Sequence, residues 1–305
     1  MNNRIAFVIL NFMRPSIAES HQSTPRWTIL SISFLVLHLL CLSIFWTPFR
    51  GELLGGLIAS YVIRMFAITA GYHRYFSHRT FKLNRFNQFL LAFMAQTSAQ
   101  KGVLWWASHH RNHHRFSDQD EDVHSPITKG FWYSHVGWIL SEAHESYQKQ
   151  NIQDFEKYPE LRWLNHYHWV CPVALGLGTF ILGYVTGLGA WTTLLWLFIV
   201  PTVLLFHGTF TINSLCHLWG SVRFSTQDGS RNNFLLAFLT LGEGWHNNHH
   251  HFQNGCRQGI RWWEWDPTFY ILKVLSWLTI VRDIRPWPSE QILTAEGSTL
   301  LPDGS

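Results

Sequence analysis

The stretch GYHRYFSH, residues 71–78, places His73 and His78 where a hydrophobic run gives way to polar sequence. A transition of this kind is typical of the boundary between a membrane and water. Two later stretches are also rich in histidine, HRNHH at residues 110–114 and HNNHH at residues 246–250. Each carries histidines at positions i, i+3 and i+4, which face one side of a helix. We therefore predict that these three clusters meet around metal.

The composition favours a membrane protein. Of the 305 residues, 47% are hydrophobic and only 14% are charged, and the chain contains 17 Trp and 23 Phe. Soluble proteins are usually about 25% charged. The net charge is +4 with histidine counted as neutral, and no block of Lys and Arg with interleaved aromatic residues is present. Nucleic acid is therefore not an expected partner.

The four cysteines predict neither a disulfide framework nor a zinc ribbon. They have no CxxC spacing, and three of them lie within or beside apolar runs. We interpret all four as small core residues: Cys41, Cys171, Cys216 and Cys256.

Four hydrophobic segments have the length of membrane-spanning helices. We predict spans at residues 27–46, 53–70, 169–185 and 190–212. The second span contains Arg64, whose charge must face protein, water or a ligand path and not lipid.

The predicted fold is all-α, with four transmembrane helices and a cytoplasmic helical cap. Residues 1–26 are expected to form an N-terminal arm, residues 27–285 one integral-membrane domain, and residues 286–305 a tail. Three arginines precede the first span, whereas Arg50 is the only one in the loop that follows it. This bias predicts that the N-terminus is cytoplasmic. An even number of spans then places all three histidine clusters and the C-terminus in the same compartment.

The two copies of the i, i+3, i+4 pattern are not explained by composition. Random placement of the 19 histidines would produce the pattern roughly 0.07 times in the chain. Neutral imidazoles are good ligands for iron, copper or zinc, and this spacing directs several of them towards one or two ions. A metal site therefore explains the pattern better than chance does.

The spacing of His73 and His78 predicts an irregular helix. Residues five positions apart lie about 140° apart around a regular α-helix, so the two rings would not share a face. We expect the helix to end or distort between them. A fourth group, Asn213 and His217 in NSLCH, follows the last span with i, i+4 spacing.

Nine histidines are candidate metal ligands. Nine ligands are too many for one ion and suit two, whereas a mononuclear zinc hydrolase uses three and commonly carries HExxH, which is absent. Two irons with mainly histidine ligands would be suited to oxygen chemistry. The candidates are His73, His78, His110, His113, His114, His217, His246, His249 and His250.

These motifs resemble the three histidine boxes of the membrane fatty-acid desaturases. HRYFSH, HRNHH and HNNHH match HX4H, HX2HH and HX2HH, and NSLCH matches the additional Asn and His of the Δ9, stearoyl-type branch. The surrounding sequences ITAGYHRYFSHRTFK, FWYSHVGWIL and LGEGWHNNHH are also similar to that branch. The resemblance extends over residues 50–285 in consistent order.

The resemblance implies a di-iron centre and an enclosed, kinked tunnel for a saturated acyl chain. Oxygen and two electrons would be used to remove hydrogens near C9 and C10, which would give a cis double bond and water. The nine histidines would be the iron ligands, and Asn213 would hold a water bound to one iron.

Two departures bear on the substrate and on the electron donor. Animal and yeast acyl-CoA enzymes carry an Arg-Asp pair before the second box, where this chain has Ser108 and His109, more like the bacterial and cyanobacterial acyl-lipid Δ9 enzymes. We therefore expect an acyl-lipid substrate in preference to acyl-CoA. No HPGG-like haem motif is visible, so electrons are expected to come from a separate protein such as a ferredoxin or a cytochrome b5-like carrier.

Residues near the boxes are candidates for supporting roles. An oxidant that breaks an unactivated C–H bond must be shielded from water and aimed at one methylene. Candidates for the tunnel wall are Trp105, Trp106, Gly244 and Trp245. Candidates for carboxylates that orient the imidazoles are Glu243, Asp118 and Asp228, with solvated loop charge as the alternative.

Other histidines are weaker candidates. His109 and His251 adjoin the boxes and could replace a ligand, although each is one residue out of register. Isolated histidines are more often hydrogen-bonded structural residues, and we interpret five in this way: His135, His144, His166, His168 and His207.

Three function classes remain open at the level of sequence. A fatty-acid desaturase is favoured, and a related di-iron hydroxylase or ketolase is the nearest alternative because the box spacing does not exclude it. The non-enzyme alternatives are a metal transporter and a structural membrane protein. Transporters bind their ions near the bilayer midplane, whereas these clusters flank the spans in polar sequence.

Overall fold

The computed structural model describes residues 28–287. Within that range the chain is helical, and the extended segments form isolated bridges and no strand. The all-α prediction is therefore confirmed for this part of the chain. The predicted arm, residues 1–26, and residues 288–305 of the predicted tail lie outside the described residues.

Two apolar helices open the described chain. Helix α1, Ile29–Cys41, continues as the 3₁₀ turn Leu42–Trp46. It begins at a capping box, in which Thr28 and Ser31 exchange side-chain and main-chain hydrogen bonds and so satisfy amides that the first turn leaves free. Helix α2, Gly51–Phe66, runs on without a break as the π-helix Ala67–Ser77.

The remaining helices are mostly short. In chain order they are α3 Arg85–Gln96, α4 Val103–Phe116, α5 Pro126–Lys129, α6 Trp138–Leu140, α7 Gln153–Glu156, α8 Pro159–His166, α9 Val170–Val185, α10 Ala190–Leu194, α11 Val200–Ser214, α12 Phe234–Leu239, α13 His246–His251 and α14 Pro267–Trp277. A π-helix, Leu195–Ile199, joins α10 to α11, and α11 ends in the 3₁₀ turn Leu215–His217. Further single turns are Tyr133–Gly137, Glu142–His144 and Lys149–Ile152.

Three helical runs in the described chain are long and apolar enough to cross a membrane: Ile29–Trp46, Gly51–Ser77 and Ala190–His217. The second and third extend five or more residues beyond the predicted ends at residues 70 and 212, because each continues through its histidine-bearing turn. The predicted third span corresponds to α9, whose 16 residues rise only about 24 Å. It qualifies only together with α8, from which it bends by 70°.

Arg64 faces protein. Its side chain is buried, and its Nη2 donates to the carbonyl oxygen of Thr97 at 2.6 Å and to Oγ1 of Thr202 at 2.7 Å. The charge on the second apolar helix is therefore satisfied by α11 and by the turn after α3, as a charge within a membrane span requires.

The core lies where the π-helix packs against α3 and α4. Tyr72 and Phe76 of the π-helix are fully buried together with Leu104 of α4. Gly71 permits the close approach, because a Cβ atom there would lie 3.2 Å from Leu91 and 3.3 Å from Ala95 of α3. By contrast, α1 buries no residue, as expected of a helix that faces lipid.

Candidate metal centre

The predicted distortion between His73 and His78 is confirmed. Both residues belong to the π-helical segment and its cap, and the amide of His78 donates to the carbonyl oxygen of His73 at 3.1 Å. This i to i+5 bond defines a π-helix. The wider turn brings the two rings to a centroid distance of 4.8 Å, so the irregular helix places both imidazoles on one side.

Helix α4 carries the HRNHH stretch, and a distant asparagine caps its beginning. Oδ1 of Asn165 accepts from the amides of Leu104 at 3.0 Å and Trp105 at 2.9 Å. The residue before the helix is Gly102, where a Cβ atom would lie 2.2 Å from that same oxygen. Glycine is therefore required for the cap that fixes the start of α4.

Arg111, in the second stretch, connects α4 to the π-helix. Its guanidinium donates to the carbonyl oxygens of Phe76 at 2.6 Å and Ser77 at 2.8 Å, which are free at the end of that helix. The same group pairs with both carboxylate oxygens of Asp154 at 2.8 and 2.9 Å. These bonds fix the end of the first histidine stretch against the second.

The nine predicted histidines lie together in two groups. In the first group, five ligand nitrogens lie within 4.8 Å of one another: those of His73, His78, His110, His114 and His249. We call this the five-histidine cluster. All of its members are buried except His114, which is partly buried.

The second group takes its members from three parts of the chain. Its ligand nitrogens also lie within 4.8 Å of one another, and all four residues are buried: His113, His217, His246 and His250. We call this the four-histidine cluster. The stretches HRNHH and HNNHH each contribute to both clusters, so the two clusters are neighbours.

The nitrogen spacing in the five-histidine cluster fits coordination of a common ion. Consecutive Nε2 atoms in the order His73, His249, His114, His110, His78 lie 3.0, 3.0, 3.0 and 2.9 Å apart. Two nitrogens that are each about 2.1 Å from an ion and 3.0 Å apart subtend about 90° at that ion. Octahedral coordination has this angle between adjacent ligands.

Hydrogen bonding alone does not account for these contacts. A ring nitrogen has a single in-plane position, which holds either a proton or a lone pair. Nε2 of His249, His114 and His110 each contacts two other Nε2 atoms, so these atoms cannot satisfy both neighbours with hydrogen bonds. Within the described chain, Nε2 of His250 is buried with no hydrogen-bond partner. The donor set of both clusters therefore fits metal.

Each predicted carboxylate lies against a ring nitrogen on the side away from the cluster. Oδ2 of Asp118 lies 2.8 Å from Nδ1 of His217, and Oδ2 of Asp228 lies 2.6 Å from Nδ1 of His250. Glu243 contacts Nδ1 of His73 at 2.5 Å. A carboxylate at Nδ1 accepts its proton and leaves the Nε2 lone pair free for an ion.

The sequence interpretation missed a fourth carboxylate and a tenth histidine. Oδ2 of Asp122, which is fully buried, lies 2.8 Å from Nδ1 of His113. His124 is also buried, its ring centroid lies 4.4 Å from that of His113, and it forms a further possible ligand group with these two residues. Asp122 lies in a run of acidic residues that resembles a solvated loop, so its sequence gave little reason to expect burial. Its position two residues before His124 was the signal that could have identified it as part of the site.

Burial keeps four of the candidate ligands neutral. It lowers the pKa values of His110, His114, His246 and His249 well below the usual range, and neighbouring histidines lower them further. Neutral imidazole is the form that binds metal. Burial alone would raise the pKa of Asp118, but His217 outweighs that effect and lowers it to about 2. Asp118 is therefore ionised at neutral pH.

Glu243 is part of a buried charge network. Arg74 donates to Oε1 of Glu243 at 3.1 Å and also pairs with Asp266 at 2.9 Å. Nε2 of Gln258 donates to Oε2 of Glu243 at 2.9 Å. Buried charges are tolerated when they are paired. The pairing with Arg74 therefore allows the Glu243 carboxylate that contacts His73 to stay ionised.

The predicted tunnel residues occupy different environments. Trp106 stacks on His110 at 4.8 Å, and it lines a small cavity together with His110 and Asn213. Trp105 is buried and donates through Nε1 to the carbonyl oxygen of His144. Trp245 is also buried.

Trp245 and Gly244, which directly precede α13, pack against two other segments of the chain. Nε1 of Trp245 donates to the carbonyl oxygen of Trp265 at 2.7 Å. A Cβ atom on Gly244 would lie 2.1 Å from the amide nitrogen of Ala237 and 2.6 Å from the carbonyl oxygen of Asn233. The glycine therefore allows two backbone segments to approach closely.

The histidines that adjoin the stretches lie outside both clusters. Nε2 of His109 contacts the carbonyl oxygen of Ser146 at 3.1 Å, and the ring of His251 stacks on Phe224 at 4.0 Å. Of the isolated histidines, His144 contacts the hydroxyl of Tyr133 at 3.0 Å.

Two other isolated histidines form a chain with His38. Nε2 of His38 lies 3.0 Å from Nε2 of His207, and Nδ1 of His207 lies 3.0 Å from Nε2 of His135. This chain links α1 to α11 and to the turn before α6. Of the remaining two, His166 is the last residue of α8, and His168 lies in the segment that connects α8 to α9.

Comparison with known proteins adds independent information. The family model described as fatty acid desaturase matches residues 51–275. A sn-1 stearoyl-lipid 9-desaturase from Synechocystis sp. is 36% identical over 287 residues, which cover 92% of this chain and 87% of the relative. An acyl-CoA 5-desaturase from Anemone leveillei is 36% identical over 260 residues, which cover 83% and 78% of the two chains.

The match to a third relative covers a smaller share of that protein. A palmitoyl-monogalactosyldiacylglycerol delta-7 desaturase from Arabidopsis thaliana is 36% identical over 232 residues, which cover 75% of this chain and 60% of the relative. All three relatives are equally similar in identity, but their names give three different double-bond positions and both lipid and CoA carriers.

Proposed function

The chain belongs to the fatty acid desaturase family and is a fatty-acyl desaturase, and we propose that it introduces a cis double bond at Δ9 into a saturated acyl chain carried on a membrane lipid. The reaction removes two hydrogens from adjacent methylenes. With two electrons and two protons from outside the substrate, O2 is reduced to two waters. The observation that carries the proposal is the convergence of nine histidines in two adjacent groups.

The two clusters would hold one iron each. The five-histidine cluster and the four-histidine cluster supply the ligand nitrogens, and the spacing of about 3 Å between Nε2 atoms supports this assignment. Bound iron supplies the activation of O2 that C–H cleavage needs. Asn213 lines the cavity beside His110 and would hold a water on one of the irons.

The chain's own residues would orient and shield this centre. Asp118, Asp122, Asp228 and Glu243 each hold one imidazole through Nδ1. Burial excludes water from the ligands, which protects a reactive centre from side reactions. Beside His110, Trp106 would form part of the wall that positions the methylenes.

Similarity to the Synechocystis stearoyl-lipid 9-desaturase favours Δ9 and a lipid carrier, since that match covers 92% of this chain. The residues before the second box support the same carrier. Ser108 is buried and donates to the carbonyl oxygen of Gln148, and His109 contacts Ser146. Neither residue is the arginine or the aspartate that precedes the second box in the animal and yeast acyl-CoA enzymes.

The proposed topology has four transmembrane helices, with the bent pair α8 and α9 contributing the third. The short helices between α4 and α8 would form the cap, and the active site and both termini would face the cytoplasm. Residues 27–285 would form one domain between an N-terminal arm and a C-terminal tail. A separate protein such as a ferredoxin or a cytochrome b5-like carrier would deliver the electrons to the cap.

Expression in a host that lacks unsaturated fatty acids, followed by lipid analysis, tests the function. The proposal predicts a new cis double bond at C9 in glycerolipid acyl chains. A hydroxylated or keto product would indicate the related di-iron oxygenase instead. A double bond that appears first on acyl-CoA would contradict the lipid carrier, and a double bond at another carbon would contradict Δ9.

A further inference from the structure

An apolar cavity lies next to the small cavity that His110 and Asn213 line, and the two cavities share lining residues. The cavity has a volume of about 210 Å³ and lies between α1, α11 and the beginning of α9. Ile139 and Phe210 line this cavity and also line the small cavity that contains His110 and Asn213. These shared side chains make the two cavities neighbours.

The outer end of the apolar cavity lies where the spans begin. Leu30 and Ser33 belong to the first turns of α1, and Trp169 directly precedes α9. Ser33 and Trp169 are exposed. Tryptophan is enriched at the interface between lipid and water. An exposed tryptophan at the outer end of the cavity is what an opening at the level of lipid head groups would present.

Lys101 adds a cation to the lining of this cavity. It lines the cavity, and its Nζ lies 5.6 Å from the centre of the Trp105 ring. Its backbone is fixed in a left-handed conformation with a φ of 69°, and its carbonyl oxygen accepts from the hydroxyl of Tyr72 at 2.8 Å. The ammonium can thus donate to oxygens of a lipid whose acyl chain lies in the cavity.

We propose that this cavity is a lateral entrance through which the acyl chain of an intact membrane glycerolipid passes from the bilayer to the metal centre, with the lipid's ester or head-group oxygens held at Lys101. The proposal rests on the proposed function. Phe206, Phe210 and Asn213 succeed one another along α11, so the route from the entrance to the centre covers about 10 Å of helix. Substrate would enter without leaving the membrane.

A second apolar groove provides a control. It has a volume of about 340 Å³ and lies between the π-helix, α3 and α14, where Leu90 and Met94 are among its lining residues. It shares no lining residue with the cavity at His110. Leu30→Trp fills the entrance, and Leu90→Trp is the same exchange in the control groove.

The test uses iron-loaded, full-length protein in vesicles that contain phosphatidylglycerol with a diazirine on a saturated acyl chain. After irradiation, adducts are mapped by mass spectrometry, and alkene formation is followed in parallel. We expect adducts on Phe34, Phe206 or Phe210 in the wild type. Leu30→Trp should lower both the labelling and the rate by about tenfold with unchanged iron, whereas Leu90→Trp should not.

Lys101→Met should weaken labelling, and Lys101→Arg should restore it. Repeating the labelling with a galactolipid probe distinguishes phosphate recognition from recognition of ester or sugar oxygens. Labelling that Leu30→Trp leaves unchanged, or adducts confined to the control groove, would overturn the entrance. So would a wild type with no adduct in the cavity. Adducts in the entrance without any alkene would contradict the proposed function and leave the entrance supported.

Discussion

Nδ1 of His217 lies 2.8 Å from Oδ2 of Asp118, although the two residues are 99 positions apart. The contact joins the turn at the end of α11 to the turn after α4. Asp118 adopts a left-handed φ of 61°, and the same oxygen accepts from the amide of Gly229 at 2.7 Å. These contacts fix the carboxylate, which fixes the imidazole in turn.

Asp118→Asn should weaken iron binding. Because the pKa of Asp118 is lowered to about 2, the exchange removes a full negative charge while it keeps the shape. Loss of a group that orients a metal-binding histidine typically costs about 10–100-fold in affinity. Iron titration of the purified protein measures the change. Asp120→Asn, at an exposed position in the same loop, is the control, and equal affinity for the two variants would contradict the role.

The two clusters should lose iron separately. His249→Ala removes a member of the five-histidine cluster, and His246→Ala removes a member of the four-histidine cluster. Each variant should fall from about two irons per chain to about one, because the ligand sets do not overlap. Elemental analysis provides the measurement. His251→Ala should keep both irons, since its ring stacks on Phe224 outside the clusters.

Arg111→Lys should destabilise the junction between the first two histidine stretches. A lysine cannot reproduce donation to the carbonyls of Phe76 and Ser77 together with the bidentate pair to Asp154. We expect a loss of about 1–3 kcal/mol in the free energy of unfolding. Thermal unfolding in detergent measures it. Arg115→Lys, at an exposed position of the same helix, should show no comparable shift.

Gly244→Ala should destabilise the protein through a backbone clash. The new Cβ would lie 2.1 Å from the amide nitrogen of Ala237, and backbone cannot move aside as a flexible side chain can. Overpacking of this kind costs about 1–3 kcal/mol. Gly178→Ala in α9 has no atom within 4 Å of the new methyl and is the matched control. An equally stable Gly244→Ala would show that the segment can shift.

Much of the site could be predicted because its signals are local. Fixed spacing identified all nine histidines of the two clusters, and the i, i+5 separation of His73 and His78 predicted a distorted helix. The division into two clusters could not be predicted. His110 and His114 belong to the five-histidine cluster, whereas His113 of the same helix belongs to the four-histidine cluster. The spacing predicts that the three rings share a helix face, but it does not say which of them share an ion.

The features that were not predicted depend on long-range packing. Asp122 is buried at His113 by the fold of its loop, whereas its local sequence resembles a solvated acidic run. Hydropathy alone placed the end of the second span at residue 70. The helical run instead continues through the π-helix to Ser77, because Arg111 and the close packing at Gly71 stabilise that π-helix. Tertiary contacts determine both features.

Iron content measured together with activity tests the central claim most directly. The purified wild-type protein, reconstituted with ferrous iron and assayed with an electron donor, should contain two irons per chain. Its desaturase activity should disappear on chelation and return with iron but not with zinc. Full activity with one iron or fewer, or activity that persists after both clusters are changed to alanine, would contradict the di-iron account.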